Sequence, residues 1–183
     1  MGPPQDELGV PVPVRVLLAH TSQVAVAVTE LIAYTTGFEL QVAIRWRNDG
    51  DHSRSARIGM AHPVSAGGPV PDDLFRFGVQ FADGRRGSSL GTANLPTVTA
   101  WRTAVAAGDP PPVPDLVLVP RGGGGGGRSY DQRYWAWPLP PPGTLTLACE
   151  WPAAGIGLTT QEIDAGRVLE AAGHGARLWP QVE

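Results

Sequence analysis

From Phe38 to Arg47 apolar and polar side chains take strict turns. Phe38, Leu40, Val42, Ile44 and Trp46 fall on one set of alternate positions, and Glu39, Gln41, Ala43, Arg45 and Arg47 on the other. Successive side chains of an extended strand point to opposite faces, so this segment predicts a strand with one face in a core and the other in water. Strands of that kind bury their oily faces by stacking in two layers.

The same period of two runs through much of the chain. Val12, Val14, Val16 and Leu18 alternate, and Pro13 points to a sheet edge. Val24, Val26, Val28, Ile32 and Tyr34 share a face that Glu30 interrupts; a bulge near Thr29 and Glu30 turns that carboxylate outward. Leu74 to Phe81 reads as a strand, Asp83-Gly84 as a two-residue hairpin turn, and Arg85 onward as the returning strand. Ser55 to Met60 reads as a strand after the Asn48 turn, residues 61–73 as loop, and Val98 to Ala107 as a short helix stopped by Gly108. Leu116 to Val119 is a short apolar strand. In the segment Tyr130 to Trp137, Trp135 and Trp137 share one face with Arg133, while Tyr130, Gln132, Tyr134 and Ala136 share the other; the tryptophans are assigned to the core. Leu145, Leu147, Cys149 and Trp151 form the apolar face of the next strand. Residues 156–163 add one more. Asp164 then caps a helix over 165–172 that Gly173 ends, with Thr159 and Glu162 offering a competing capping box.

These elements predict an all-β fold, an antiparallel β-sandwich of immunoglobulin-like or jelly-roll type with about eight or nine strands and a short C-terminal helix. Residues 1–11 read as a flexible N-terminal leader. Residues 12–183 read as one domain, with the glycine-rich segment 121–128 as a flexible loop, because an uninterrupted glycine run carries the largest ordering entropy.

Composition narrows the functions open to such a chain. All 14 basic residues are arginine, so Schiff-base catalysis and lysine-dependent phosphate binding are excluded. The net charge is −3 and the isoelectric point about 5.8; without a basic stripe, nucleic acid is not an expected partner. One cysteine, Cys149, excludes an intrachain disulfide and a multi-cysteine zinc site. No apolar run approaches the ~20 residues that cross a bilayer. The first residues lack the charged and apolar regions of a secretion signal. The expected setting is therefore the cytoplasm, away from membranes.

Several motifs imitate chemistry. Gly122-x-x-x-x-Gly127-Arg128-Ser129 has the spacing of a phosphate loop, with arginine in place of lysine. A phosphate loop needs its amides gathered at the mouth of a helix, and the aromatic alternation that follows here predicts a strand. The residual possibility is an anion held by Arg121 and Arg128. The histidines are scattered and Asn48 to His52 lacks the spacing of a calcium loop, so no metal or cofactor is expected. Cys149 shares a face with Leu145, Leu147 and Trp151, which predicts a buried, inert thiol. Tyr130 and Tyr134, with Gln132 between them, form a face that can stack on a sugar or lie against a partner sheet; a second buried face is the competing reading. Trp179-Pro180 is a further candidate contact.

The segments YWAWPLPPPGTLTLACEWPAAGI and the later LWP, together with GFELQVAIRW and FRFGVQFADGRR, resemble a pattern found in uncharacterised actinobacterial proteins. The resemblance covers about half the chain and consists of strands and turns. It implies a β-rich fold and brings no assigned activity and no catalytic residues.

The functional expectation is a non-catalytic module that binds protein through a sheet surface or edge, with self-association as one form of it. The alternative is a carbohydrate- or small-ligand-binding module that uses Tyr130 and Tyr134. The third is a jelly-roll hydrolase with Glu150 or Asp131 as its acid, which requires two carboxylates within about 10 Å in one cleft.

Overall fold

The alternation seen in the sequence becomes a set of antiparallel ladders. The computed structural model describes residues 2–49, 69–90, 103–104, 106–108 and 115–179. The described strands are β1 (Glu7–Leu8), β2 (Val10–Val12), β3 (Val16–His20), β4 (Val24–Ala33), β5 (Phe38–Trp46), β6 (Arg76–Gln80), β7 (Arg86–Ser88), β8 (Val117–Gly126), β9 (Ser129–Trp137), β10 (Thr144–Trp151), β11 (Ile156–Asp164) and β12 (Ala176–Arg177). The larger sheet runs β2-β4-β5-β9-β8, with β3 also on β4; the smaller runs β11-β10-β6-β7; β1 pairs with β12 alone. The fold is an all-β antiparallel sandwich, and the helix α1 (Ala165–Ala172) follows β11. Twelve strands are described where about eight or nine are expected: Pro13 separates β2 from β3, both paired with β4, and the two-residue β1 and β12 form a short ladder of their own.

The core lies between the two sheets. From the larger sheet come Val26, Val28, Leu40, Val42 and Ile44; from the smaller come Phe77, Val79, Leu145, Leu147 and Cys149, all buried. Fully burying a side chain of this size is worth about 1.5–3 kcal/mol. On β4 the predicted bulge is present: the register with β5 shifts between Val28 and Glu30. Beyond it the inward positions change parity, so Leu31 and Ala33 enter the core and Ile32 and Tyr34 move to the outer face. Glu30, turned outward, lies 3.5 Å from Arg133 of β9.

Strand β9 reverses one sequence expectation. Antiparallel partners directly opposite one another share a face, and Phe38, Leu40 and Val42 stand opposite Ala136, Tyr134 and Gln132. The inward face of β9 therefore carries Tyr134 and Ala136, and Tyr134 packs on Phe77 with ring centres 4.9 Å apart. Trp135 is on the outer face, yet it is also fully buried, against Tyr34 and close to Gly37. The pattern of apolar positions assigns the tryptophans of β9 to the core; the register turns Tyr134 toward the opposite sheet and buries Trp135 on the other side.

Four further expectations are corrected or sharpened. The leader is not loose at its end: Glu7–Leu8 and Val10–Val12 are strands, and the Glu7 carboxylate accepts from the Thr35 N–H (2.7 Å) and hydroxyl (2.6 Å). The glycine-rich segment is not a slack loop but the outer half of β8. The Asp83-Gly84 connection is a three-residue loop, since Phe81 and Arg85 pair across it and Gly84 has φ 89°; one left-handed glycine after a right-handed turn suffices for this loop length. The helix keeps its predicted bounds: Asp164 accepts from the Gly166 N–H and Gly173 ends it, while Thr159 and Glu162 sit in β11 and build no capping box. The Ser55 to Met60 strand and residues 61–68 lie outside the described residues. Of the Val98 to Ala107 helix, Thr103, Ala104, Ala106 and Ala107 are described and helical. No helix among the described residues is long and apolar enough to cross a membrane.

Because Glu7 is buried and holds the N-terminal strands to the β4–β5 turn, Glu7→Ala is expected to lower unfolding stability by about 1–3 kcal/mol. Urea denaturation measures the loss, and Thr35 is the amide whose hydrogen exchange accelerates most.

Candidate functional site

Two places on the described surface depart from an ordinary sandwich: the glycine hairpin β8–β9 and a cleft at the end of the sheets beside it. Gly123 to Gly126 pair along β9, Gly123 opposite Gln132 and Gly125 opposite Tyr130, with a bulge between Pro120 and Gly123. Gly127 and Arg128 make the two-residue turn, with Gly127 at φ 57°. The glycines divide by parity. A Cβ on Gly123 would collide with the Gln132 side chain, and one on Gly125 with the backbone at Ser129 and Tyr130. Gly122, Gly124 and Gly126 have open space at that position. The alternation of one glycine that must be glycine and one that need not be is invisible in a homopolymer run.

Gln132 explains the bulge. Its amide is 1% exposed, and Nε2 donates to the carbonyls of Arg121 and Arg133, both at 2.8 Å. Its Oε1 accepts from the Tyr130 hydroxyl at 3.3 Å. A buried amide with donors and acceptor used holds the bulged strand in place. Of the residues expected to form a ligand face, Gln132 and Tyr134 are thus interior and Tyr130 is half-buried. Burial raises both tyrosine hydroxyls above their ordinary titration range. A sugar-stacking platform on Tyr134 is ruled out by this placement, since its ring faces the opposite sheet.

Arg121 and Arg128 are exposed at opposite ends of the glycine run, separated by seven residues of extended chain, or about 20 Å. They do not converge on one anion. Arg128 lies 3.3 Å from Asp49, and its carbonyl accepts from the Trp46 N–H at 2.9 Å. Arg121 lies beside Gly2 of the N-terminal segment. The phosphate-loop spacing is followed by strand β9 and no helix, so its amides are not gathered at a helix mouth.

The catalytic candidates are equally well explained by structure. Asp131 pairs with Arg45 at 2.9 Å on the outer face of the larger sheet, and Glu150 pairs with Arg76 on the outer face of the smaller. Carboxylates on opposite faces of a sandwich cannot share a cleft, so the acid pair of a glycoside hydrolase is not built from these two residues. Cys149 is buried; burial raises its thiol above the ordinary value, and the Thr159 hydroxyl 3.2 Å away offsets this only in part. Among the described residues no three His, Cys, Asp or Glu side chains gather as metal ligands.

The cleft was not foreseen. It opens where the β3–β4 turn, the end of β5 and the β10–β11 turn meet, with a volume of about 730 Å³. Trp151 forms its inner wall, held edge-to-face by Phe75 (5.7 Å) and Trp46 (6.2 Å), with Nε1 donating to the Asp73 carbonyl. Thr21 and Gln23 line the opposite rim. A single-turn 3₁₀ helix, Pro152–Ala154, ends at Gly155 with φ 71°, so small residues form the third side. A shallower depression of about 260 Å³ lies across Trp46 and is bordered by Arg45 and Arg47. The pieces lie far apart in sequence, and only the alternation that puts Trp46 and Trp151 last on their strands hinted at a shared end. Comparison with protein-family models, characterised proteins and solved structures finds no match for the chain.

Two outcomes test this geometry. Gly124→Ala should hold or raise stability, by up to about 1 kcal/mol, since alanine orders at lower entropic cost and its Cβ has room; Gly125→Ala should destabilise, because backbone must move. Thermal denaturation of the two variants separates them. Cys149 should resist iodoacetamide in the native protein at pH 8 and react fully in guanidinium, as read by mass spectrometry, because a raised pKa and burial both suppress the thiolate.

Proposed function

We propose that the chain is a non-catalytic protein-binding module that takes up an extended segment of a partner along the outer edge of β8. The observation that supports this is the exposed glycine strand Gly122–Gly126, which ends the larger sheet among the described residues. A sheet edge offers backbone donors and acceptors to an added strand, and alternate pockets or open positions decide which side chains it brings. Protein edges are ordinarily protected by lysine, proline or short length. Here the edge is long and carries no side chains over five residues, so a partner strand meets backbone and space for its own side chains. Pairing of two copies is the weaker form of this reading, because two glycine strands bring no side chains to bury against each other. A cytoplasmic setting accords with it, the one thiol being buried and reduced.

The test selects strand-forming peptides from a displayed random library against the isolated protein and maps the best by amide shifts. Selected peptides should alternate β-branched or aromatic residues with polar ones and shift the Gly122 to Gly126 amides. The double variant Gly122→Lys with Gly124→Lys, at positions where a side chain fits, should weaken them at least tenfold. Absence of enrichment, or shifts confined to another face, contradicts the proposal.

A further inference from the structure

We infer that the strand taken up along β8 carries a basic residue followed, two positions later, by an acidic one, and that Asp131 and Arg133 of β9 select that pair. The inference rests on the reading of the β8 edge as a strand-binding site and names what that edge prefers.

The outer face of the larger sheet is crossed by two lines of charge. In one, Arg45 of β5 reaches diagonally to Asp131 of β9, Nη2 to Oδ1 at 2.9 Å. In the other, Arg133 of β9 stands in register with Gln41 of β5 and Glu30 of β4, its Nη2 3.5 Å from Glu30 Oε2 and its Nε 3.4 Å from Gln41 Oε1. Each line alternates in sign as it crosses the sheet, and glycine stands next to it on β8. Gly124 is directly opposite Asp131, and the bulge between Pro120 and Gly123 sets Arg121 and Gly122 beside Arg133. A Cβ at Gly122 or Gly124 would meet open space.

An added strand supplies the next charge in each line. Antiparallel residues directly opposite one another share a face. A partner residue opposite Gly124 therefore sends its side chain over the glycine toward Asp131, two strand spacings or about 10 Å away. The long stem of a lysine or arginine crosses that gap. Asp131 is 38% exposed, and Arg45 engages only its Oδ1. A carboxylate accepts at both oxygens, so a second cation adds to the Arg45 pair without displacing it.

The partner residue two positions later lies opposite Gly122. Arg133, 51% exposed, faces that place with its contacts to Glu30 and Gln41 both at the long limit, and Arg121 is exposed in the same bulge. Two cations beside one position favour a carboxylate there and oppose a further cation. Side chains on β8 would fill the space that these contacts cross, and glycine keeps it open. Backbone bonding supplies the affinity of strand addition, and the two charges fix the register and the choice among strands. Reversing their order, or sliding the strand by two residues, brings like charges together.

The experiment pans the full chain against a displayed library of short peptides with valine or threonine at alternate positions and the positions between randomised. Peptides that shift the Gly123 to Gly126 amides should carry Lys or Arg and, two positions later, Asp or Glu. An exposed ion pair changes affinity by about two- to fivefold, so exchanging the two charges within a selected peptide should weaken it by about tenfold or more. Arg133→Glu turns one attraction into a repulsion and should weaken the selected peptides by about fivefold or more. Panned afresh, that variant should enrich a base at the second position, whereas Asp131→Asn should relax the first position alone. Both substitutions are at exposed sites, and an unchanged thermal midpoint confirms the fold. Peptides that occupy the edge without preference at these positions, or with a preference that Arg133→Glu leaves unchanged, overturn this inference and leave the strand-binding reading intact. If no peptide shifts the glycine amides, both fall.

Discussion

The ladder between β5 and β9 decides which side chains this protein hides. Strand β5 has one wholly apolar set of positions, and antiparallel pairing passes that choice of face to its neighbours on both sides. On β9 it selects Tyr134 and Ala136 for the interior and leaves Trp135 outside. On β4 it forces the bulge at Thr29, without which Glu30 would point between the sheets. A carboxylate left there unpaired would cost several kcal/mol; turned outward, it meets Arg133. The outer face then assembles its own charge pairs, Arg45 with Asp131 among them, and these exposed pairs add little to stability.

Much of this was legible in the residues. Period-two patterning identified β5 and β10 with their buried faces, and the position of Glu30 identified the bulge. Asp164 and Gly173 marked the ends of the helix, because capping depends on one residue's side chain and not on distant contacts. What could not be read depended on register. Tyr134 and Trp135 are both buried, and the face that carries Trp135 also carries Asp131 and Arg133 while the other carries Gln132, so hydrophobicity does not orient β9 and its pairing with β5 says which ring faces in. Glycine's entropic cost alone predicts slack for the run; the Gln132 amide and the β9 ladder supply the compensation. The cleft was out of reach altogether, since Thr21, Trp46 and Trp151 meet only after three separate turns come to one end.

The glycine hairpin and the cleft gather at that end. The tip of the glycine hairpin is pinned there, with the Arg128 carbonyl accepting from the N–H of Trp46, the residue that walls the cleft. A strand laid along β8 would therefore end near the cleft, through a contact of one hydrogen bond. Of the titratable groups that looked most chemical in the sequence, Glu150 is spent on an ion pair and Cys149 is buried in the core, while Asp131 lies beside the glycine edge.

The central claim is that the glycine run is held as a sheet strand by β9, from Gly123 to Gly126. Nuclear Overhauser contacts across the hairpin test it most directly. The account predicts cross-strand contacts between Gly124 and Asp131 and between Gly126 and Ser129, with dispersed glycine amide shifts. Collapsed, random-coil glycine shifts without those contacts would contradict it.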